Sequence, residues 1–382
     1  MNRPALALVI ALFSTVSLAA DPSVAERMRE FVQKKEVAGT VTLVATKHKV
    51  VHLESVGQAD VAANEPMRED TIFWIASMTK PITATAVMML QDEGKLSVED
   101  PVGKYIPELK DLKTKEGKPA NLTLRHLLTH TGGLGEASSE QSRAAKTLAD
   151  LIPHYASQPV KFEPGTKWEY SQSSINSLGR IVEIVSGKPF QDFLDERLFR
   201  PLGMKDTTFY LSEQQMPRVA KSYRKEADKL EEAKIFILEG HAPNSRQRYP
   251  AANGGLFSTA PDYGRFCRMI LNDGSLDGRT YLRPETVKQM CSLQTPEKIR
   301  TGFTEGNGWG LGWCVVRKPQ GVSEKLSPGS FGHGGAYGTQ AWIDPVKGVA
   351  YVLMTQRANF PNSDNSDVRK AFQEAASAGL GR

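Results

Sequence analysis

A serine, Ser77, stands three residues before a lysine, Lys80, at the head of Ile75–Leu90, IASMTKPITATAVMML. Residues three apart share a helix face, so the hydroxyl and the amine can meet. Proline is tolerated in a first turn but breaks a helix interior. Pro81 therefore predicts a helix that begins close to Ser77–Thr79, with Gly94 as its C-terminal stop. Behind Lys80 the stretch is uncharged as far as Leu90, and a helix that is apolar nearly all round is buried. Burial and the helix dipole both weaken the hold of Lys80 on its proton. A lysine that is partly neutral near pH 7 can take the serine proton and leave a nucleophile. The motif is short, and Ser222–Lys225 in KSYRKEADK repeats it. That copy lies in a charged run with no apolar helix behind it, so context selects Ser77.

Two further stretches carry usable groups. In Phe162–Gln172, FEPGTKWEYSQ, a Pro-Gly turn leads to Tyr170 at a loop-to-helix junction, its hydroxyl free to reach a pocket. Taken alone, a packed core tyrosine accounts for it equally well. Gly332-His333-Gly334-Gly335-Ala336 opens the penultimate pair of strands, and glycines there let a substrate approach the backbone. His333 is expected on an edge strand; for a lone HGG, a turn histidine with its ring in solvent is the plainer account. Together these groups supply a nucleophile, a base, a proton shuttle and a strand against which an acyl substrate can lie.

Other chemistries find little support. His48 and His52 fall on a turn and a strand, not one helix face. His126 and His130 have helical spacing but no third ligand, so structural roles are expected. Cys267, Cys291 and Cys314 are odd in number and scattered, which reads as buried thiols. No Gly-rich phosphate loop is present, and neither a metal nor an organic cofactor is expected. The net charge of +5 is mild and spread over 382 residues, which argues against nucleic acid and membrane surfaces as partners.

These residues need a scaffold. Helical periodicity covers 22–37, and Gly39–Ala45 and Val50–Val56 read as a hairpin. Helices are expected at 138–158, 173–187 and Pro261–Asn272, and a last one at Asp367–Ala378. Strands are expected at Gly310–Arg317, Gly338–Ile343 and Val349–Thr355. Strands at both ends with helices between predict one α+β domain over 21–382, with a sheet lobe from about 21–76 and 255–382 and a mainly helical lobe over 77–254. Residues 213–249 are charged and weakly patterned, a surface excursion or lid. Residues 4–20, PALALVIALFSTVSLAA, follow Arg3 and read as a signal peptide ending within 1–20. A periplasmic or secreted protein without stable membrane insertion is the expectation.

At this point the sequence resembles the serine β-lactamase/penicillin-recognising superfamily, in its class C-related branch of family VIII carboxylesterases, D-aminopeptidases and DD-carboxypeptidases. The resemblance rests on WIASMTKPITATAVMMLQDEGKL, LTLRHLLTHTGGL, FEPGTKWEYSQSSINSLGRIVE, PLGMKDT, GGLFSTAPDYGRF, GLGW and FGHGGAYGTQAWIDP, in the family's order. It implies an antiparallel sheet flanked by helices, with Ser77 as acylated nucleophile, Lys80 as its base and Tyr170 as the second-motif tyrosine. Gln172 and His333-Gly334-Gly335 would meet the substrate, and the N–H groups of Ser77 and Ala336 would form the oxyanion hole. Ser363-Asp364-Asn365 and Arg300-Thr301-Gly302 imitate other motifs of the superfamily but fail on order and context. The chain departs from class C β-lactamases at Tyr170-Ser171-Gln172 and His333-Gly334-Gly335, where those enzymes carry Y-x-N and K-T-G. The missing lysine removes a permanent charge that would bind a β-lactam carboxylate. A serine hydrolase acting through an acyl-enzyme is expected, most simply a carboxylesterase. The alternatives are a β-lactamase or D-amino-acid peptidase, and a non-catalytic peptidoglycan-binding homologue. The substrate would be a small ester, a β-lactam or a short peptide.

Overall fold

The computed structural model describes residues 22–380. The signal-peptide expectation lies outside them. Eight antiparallel strands form the central sheet, in the spatial order Asn307–Trp309, Cys314–Val316, Phe331–Gly334, Gln340–Asp344, Val349–Met354, Gly39–Thr46, Val50–Asp60 and Glu65–Pro66. The N-terminal hairpin is thus sewn onto the C-terminal meander, with Leu43 opposite Val352 and Val44 opposite Tyr351.

Side chains alternate along a strand, so a strand covered on both faces carries two cores. Val41, Leu43, Ala45, Ala350 and Val352 join the larger core with the helices Thr79–Asp92 and Ala260–Leu271. Val44, Tyr351 and Leu353 join a second core with Met28 and Phe372, from the helices Val24–Gln33 and Asp367–Leu380. Ser23 and Glu26 close a capping box at the head of the first of these helices.

The Ser77 helix runs over Thr79–Asp92, preceded by a single 3-10 turn at Ala76–Met78. Every residue from Thr79 to Leu90 is buried, as its uncharged composition predicts. Its threonines turn their hydroxyls to carbonyls, Thr83 to Ala252 O at 2.7 Å and Thr85 to Pro81 O at 2.8 Å. The helix Gln172–Ser186 packs beside it. Within that neighbour, a Cβ at Gly179 would stand 2.6 Å from the Ala252 Cβ. The missing side chain lets Ala251–Gly255 lie across both helices.

Several expectations are revised. The stretch Gly310–Arg317 is a turn followed by a short strand, because Leu311 N–H bonds Met290 O and Gly312 N–H bonds Leu128 O. The helix expected over 138–158 is two, Ser139–Ala144 and Leu148–Ala156. Residues 213–249 contain a hairpin, Ser222–Glu226 with Lys229–Ala233, and a 3-10 turn at Phe236–Leu238. The second S-x-x-K pair therefore lies on a strand, where Ser222 bonds Gln356 and Lys225 pairs with Glu36.

Candidate active site

Between Thr71 and Leu90 only Ser77 is not fully buried. Ala76, just before it, is a non-glycine residue at φ +47°. Such a conformation costs of order 1–3 kcal/mol and persists only where surrounding structure enforces it. Here the Trp74 indole donates to Gly254 O at 2.7 Å, Gln356 donates to Trp74 O at 2.7 Å, and the Tyr263 hydroxyl donates to Met78 O at 2.9 Å.

The Lys80 Nζ lies 3.1 Å from Ser77 Oγ, 2.9 Å from Gln172 Oε1 and 2.6 Å from Asn253 O. Burial pushes Lys80 down to about 7, against the opposing charge of Glu136. A neutral amine has two N–H groups and one lone pair. The Gln172 and Asn253 oxygens only accept, so they take the N–H groups and turn the lone pair towards the Ser77 hydroxyl. The Gln172 oxygen is itself fixed by Asn253 Nδ2 at 2.7 Å.

Tyr170 precedes the N-cap Ser171 of the Gln172–Ser186 helix. Its hydroxyl faces the Ser77 side chain, and Lys80 Nζ stands 4.5 Å from its ring centre. Burial raises Tyr170 well above 10, so it remains a neutral hydroxyl. His333 Nδ1 lies 2.7 Å from Gly334 O, an acceptor, so this nitrogen carries the proton. Burial and then the Lys80 charge hold His333 down at about 3, so its ring is uncharged. Nε2 is therefore a bare acceptor for the Tyr170 hydroxyl at 3.4 Å.

The solvent-facing account of His333 is corrected: its ring is buried among Trp309 and Tyr170. The edge-strand expectation is also corrected, because the strand pairs with a neighbour on each side. Phe331–Gly334 is an interior strand, and its ladder to Cys314–Val316 ends at Gly332, so His333–Gly334 is unpaired with that neighbour. Ala336 is exposed in the turn that follows.

Glu136 and Asn253 were not singled out from the sequence. Glu136 accepts from Gln172 N–H at 2.8 Å and Ser173 N–H at 2.9 Å. No periodicity announces either residue, although both flank Gly-rich motifs, which signal close backbone approach. His126 and His130 do not share a helix face, since the helix ends at Leu128 and His130 sits beyond it at φ +57°. His130 Nδ1 accepts from Ser171 N–H at 3.1 Å and its ring lies 4.6 Å from that of Tyr170, so it buttresses the tyrosine. Asp364, from the misplaced S-D-N, lies behind Gly334 and accepts from Gln340 at 3.3 Å. No cluster of three or more metal-ligating side chains occurs among the described residues.

The geometry sets the Ser77 hydroxyl against a buried lysine amine, near the unpaired end of a strand ladder. The family model described as Beta-lactamase matches residues 24–376. The chain belongs to this family. Its members are serine hydrolases. Protein Rv1367c of Mycobacterium tuberculosis (strain ATCC 25618 / H37Rv) is 36% identical over 358 residues, covering 86% of this chain and 88% of the relative. Esterase EstB of Burkholderia gladioli is 30% identical over the same length and shares. Penicillin-binding proteins and putative D-alanyl-D-alanine carboxypeptidases are also related. Among solved structures, EstCE1, "a hydrolase with promiscuous acyltransferase activity", superposes with a TM-score of 0.80 at 23% identity over 93% of this chain and 97% of its own; this likeness speaks to the fold. The antiparallel sheet with flanking helices is the β-lactamase-like architecture.

Proposed function

We propose that the protein is an exported carboxylesterase of the beta-lactamase family working through a Ser77 acyl-enzyme. The observation that carries this reading is the buried, near-neutral Lys80 aimed by Gln172 and Asn253 at the Ser77 hydroxyl. Lys80 takes the serine proton as Ser77 attacks the ester carbonyl. The N–H groups of Ser77 and Ala336 hold the oxyanion, and losing one such donor typically costs about 3 kcal/mol. Tyr170, held protonated, passes a proton to the leaving alcohol and is resupplied by Lys80. Water then attacks the acyl-enzyme by the same route.

The choice of an ester rests on charge and on the apolar walls. His333 is uncharged, and among the described residues Lys80 is the one lysine or arginine that touches Ser77 or Tyr170. A carboxylate-bearing β-lactam finds no permanent cation on this strand. Phe303 lies against Tyr170 with ring centres 4.8 Å apart, while Ile237 stands beside Gly254 and the Ala76 backbone, and both walls suit uncharged apolar groups. A second reading, a D-amino-acid peptidase, draws on the backbone of His333–Gly334 beyond the end of its ladder to Cys314–Val316, which can pair with an extended peptide.

A fluorophosphonate probe followed by a substrate panel tests these readings. We expect labelling that Ser77→Ala abolishes, and turnover of p-nitrophenyl esters above a chromogenic cephalosporin and a D-Ala-D-Ala peptide. Labelling unchanged in Ser77→Ala would refute the nucleophile. Cephalosporin turnover above every ester would reverse the ranking.

A further inference from the structure

Glu136 lies outside the serine–lysine–tyrosine set, yet it reaches the parts that support it. Its Oε1 accepts from Gln172 N–H at 2.8 Å and from the Ser171 hydroxyl at 2.9 Å. Its Oε2 accepts from Ser173 N–H at 2.9 Å. The next amide, Ser174 N–H, is taken by Ser171 Oγ at 3.1 Å. The first three amides of the Gln172–Ser186 helix are thus all bound, two of them by this one carboxylate. A helix start otherwise leaves these donors free and frays. A negative charge there also complements the helix dipole.

Gln172 is the first residue of that helix, and its side-chain oxygen is the acceptor that Lys80 and Asn253 share. A loosened first turn would let this amide rotate and release the Lys80 lone pair from Ser77. Glu136 also acts by charge. Of the titratable groups around Lys80, burial keeps His130 and His333 neutral and Tyr170 protonated. Glu136 is the opposing charge that Lys80 meets.

We propose that Glu136 is a positioning residue for the Ser77–Lys80 pair, clamping the first turn of the Gln172 helix so that the Gln172 amide aims Lys80 at Ser77. The proposal rests on Ser77 and Lys80 being the reactive pair. It assigns Glu136 a role in the reaction that a simple helix cap would lack.

The test compares wild type, Glu136→Gln, Glu136→Asp and Lys80→Ala by the pH dependence of Ser77 labelling with a fluorophosphonate, normalised to folded protein. In Glu136→Gln one oxygen becomes an amide that faces the Ser173 N–H, donor against donor, and the charge is lost. The labelling rate should fall about tenfold. The acidic limb of the profile should move to lower pH by about half a unit, since Lys80 then releases its proton more easily. Glu136→Asp keeps the charge but shortens the reach, so the rate should fall while the limb stays in place. A rate and a limb unchanged in both variants, with only the melting temperature lowered, would overturn the proposal and leave Glu136 a structural cap. If Glu136→Gln does not fold, an unchanged rate in Glu136→Asp overturns it alone. Wild type that labels no faster than Lys80→Ala would instead overturn the serine–lysine reading, and the role of Glu136 with it.

Discussion

Lys80 holds its proton less tightly in the folded chain than in the unfolded one, and both reactivity and stability follow from that difference. In the proposed role of base it must be deprotonated, so kcat/KM for an ester should rise with pH through about 7. The unfolded chain binds the extra proton between about 7 and the ordinary lysine value, so folding stability should also rise with pH across that window. Below it, the buried ammonium is a standing cost. Lys80→Met should therefore lower kcat/KM about a thousandfold. At pH 6 it should stabilise the fold by roughly 2 kcal/mol, after the acceptors left unpaired at Gln172 and Asn253 are set against the relief. Parallel kinetics and urea melts check this, and a less stable variant at pH 6 would show that the three acceptors compensate the charge fully. His333 permits a converse experiment. A lysine there would put a cation where the neutral ring now sits. A charged hydrogen bond contributes about 1.5–3 kcal/mol, so His333→Lys should raise cephalosporin turnover relative to ester at least tenfold. A ratio unmoved in a folded variant would mean that walls, not charge, set the preference.

At the scale of elements, the site is a junction between the 3-10 turn Ala76–Met78 and the end of the strand Phe331–Gly334. Gly335 makes that junction close. A Cβ there would stand 2.1 Å from Thr339 Oγ1 and 2.6 Å from Ile75 O. Gly335→Ala should wedge the two apart, costing about 2–3 kcal/mol in stability. It should also lower kcat about a hundredfold, because the proposed oxyanion donor, Ala336 N–H, would shift relative to Ser77. Denaturation and kcat measured side by side check this, and wild-type kcat would refute the placement of Ala336. What the sequence makes legible follows the range of the interaction. Ser77 and Lys80 are three residues apart, and helix geometry alone joins them. Tyr170 and His333 stood out through turn and glycine chemistry and through their place in an ordered set of motifs. The neutrality of His333 comes from burial by Trp309 and Tyr170, which no local pattern encodes. Glu136 reaches Gln172 across 36 residues, and Asn253 reaches it across 81. The turn at Gly310–Trp313 escaped for the same reason, since its amides bond Met290 and Leu128 instead of a neighbouring strand.

The whole molecule is closed by its two ends. Gly39–Thr46 pairs with Val50–Asp60 on one side and with Val349–Met354 on the other, so neither core is complete until the C-terminal strands have joined the N-terminal hairpin. Contacts of such long range close at high entropic cost, which couples the two faces of the sheet in one event. The cysteines report on this. Cys267 and Cys291 lie in the larger core and Cys314 in the other, all buried and unpaired. Burial pushes Cys314 up to about 12 and raises the other two thiols as well, so none offers a thiolate in the native state. If the shared strands make the cores cooperative, an aromatic disulfide reagent should find no thiol in native protein. Across a urea titration all three should then react together, at the midpoint where hydrolase activity is lost. Early reaction of Cys314, with Cys267 protected and activity intact, would show that the face carrying the terminal helices opens alone. The site would then tolerate loosening of the core against which Tyr170 packs and to which Trp309 belongs. The interleaving of Gly39–Thr46 between C-terminal and N-terminal strands argues for the single transition, because freeing Val44 and Tyr351 from one core also moves Leu43 and Val352 in the other.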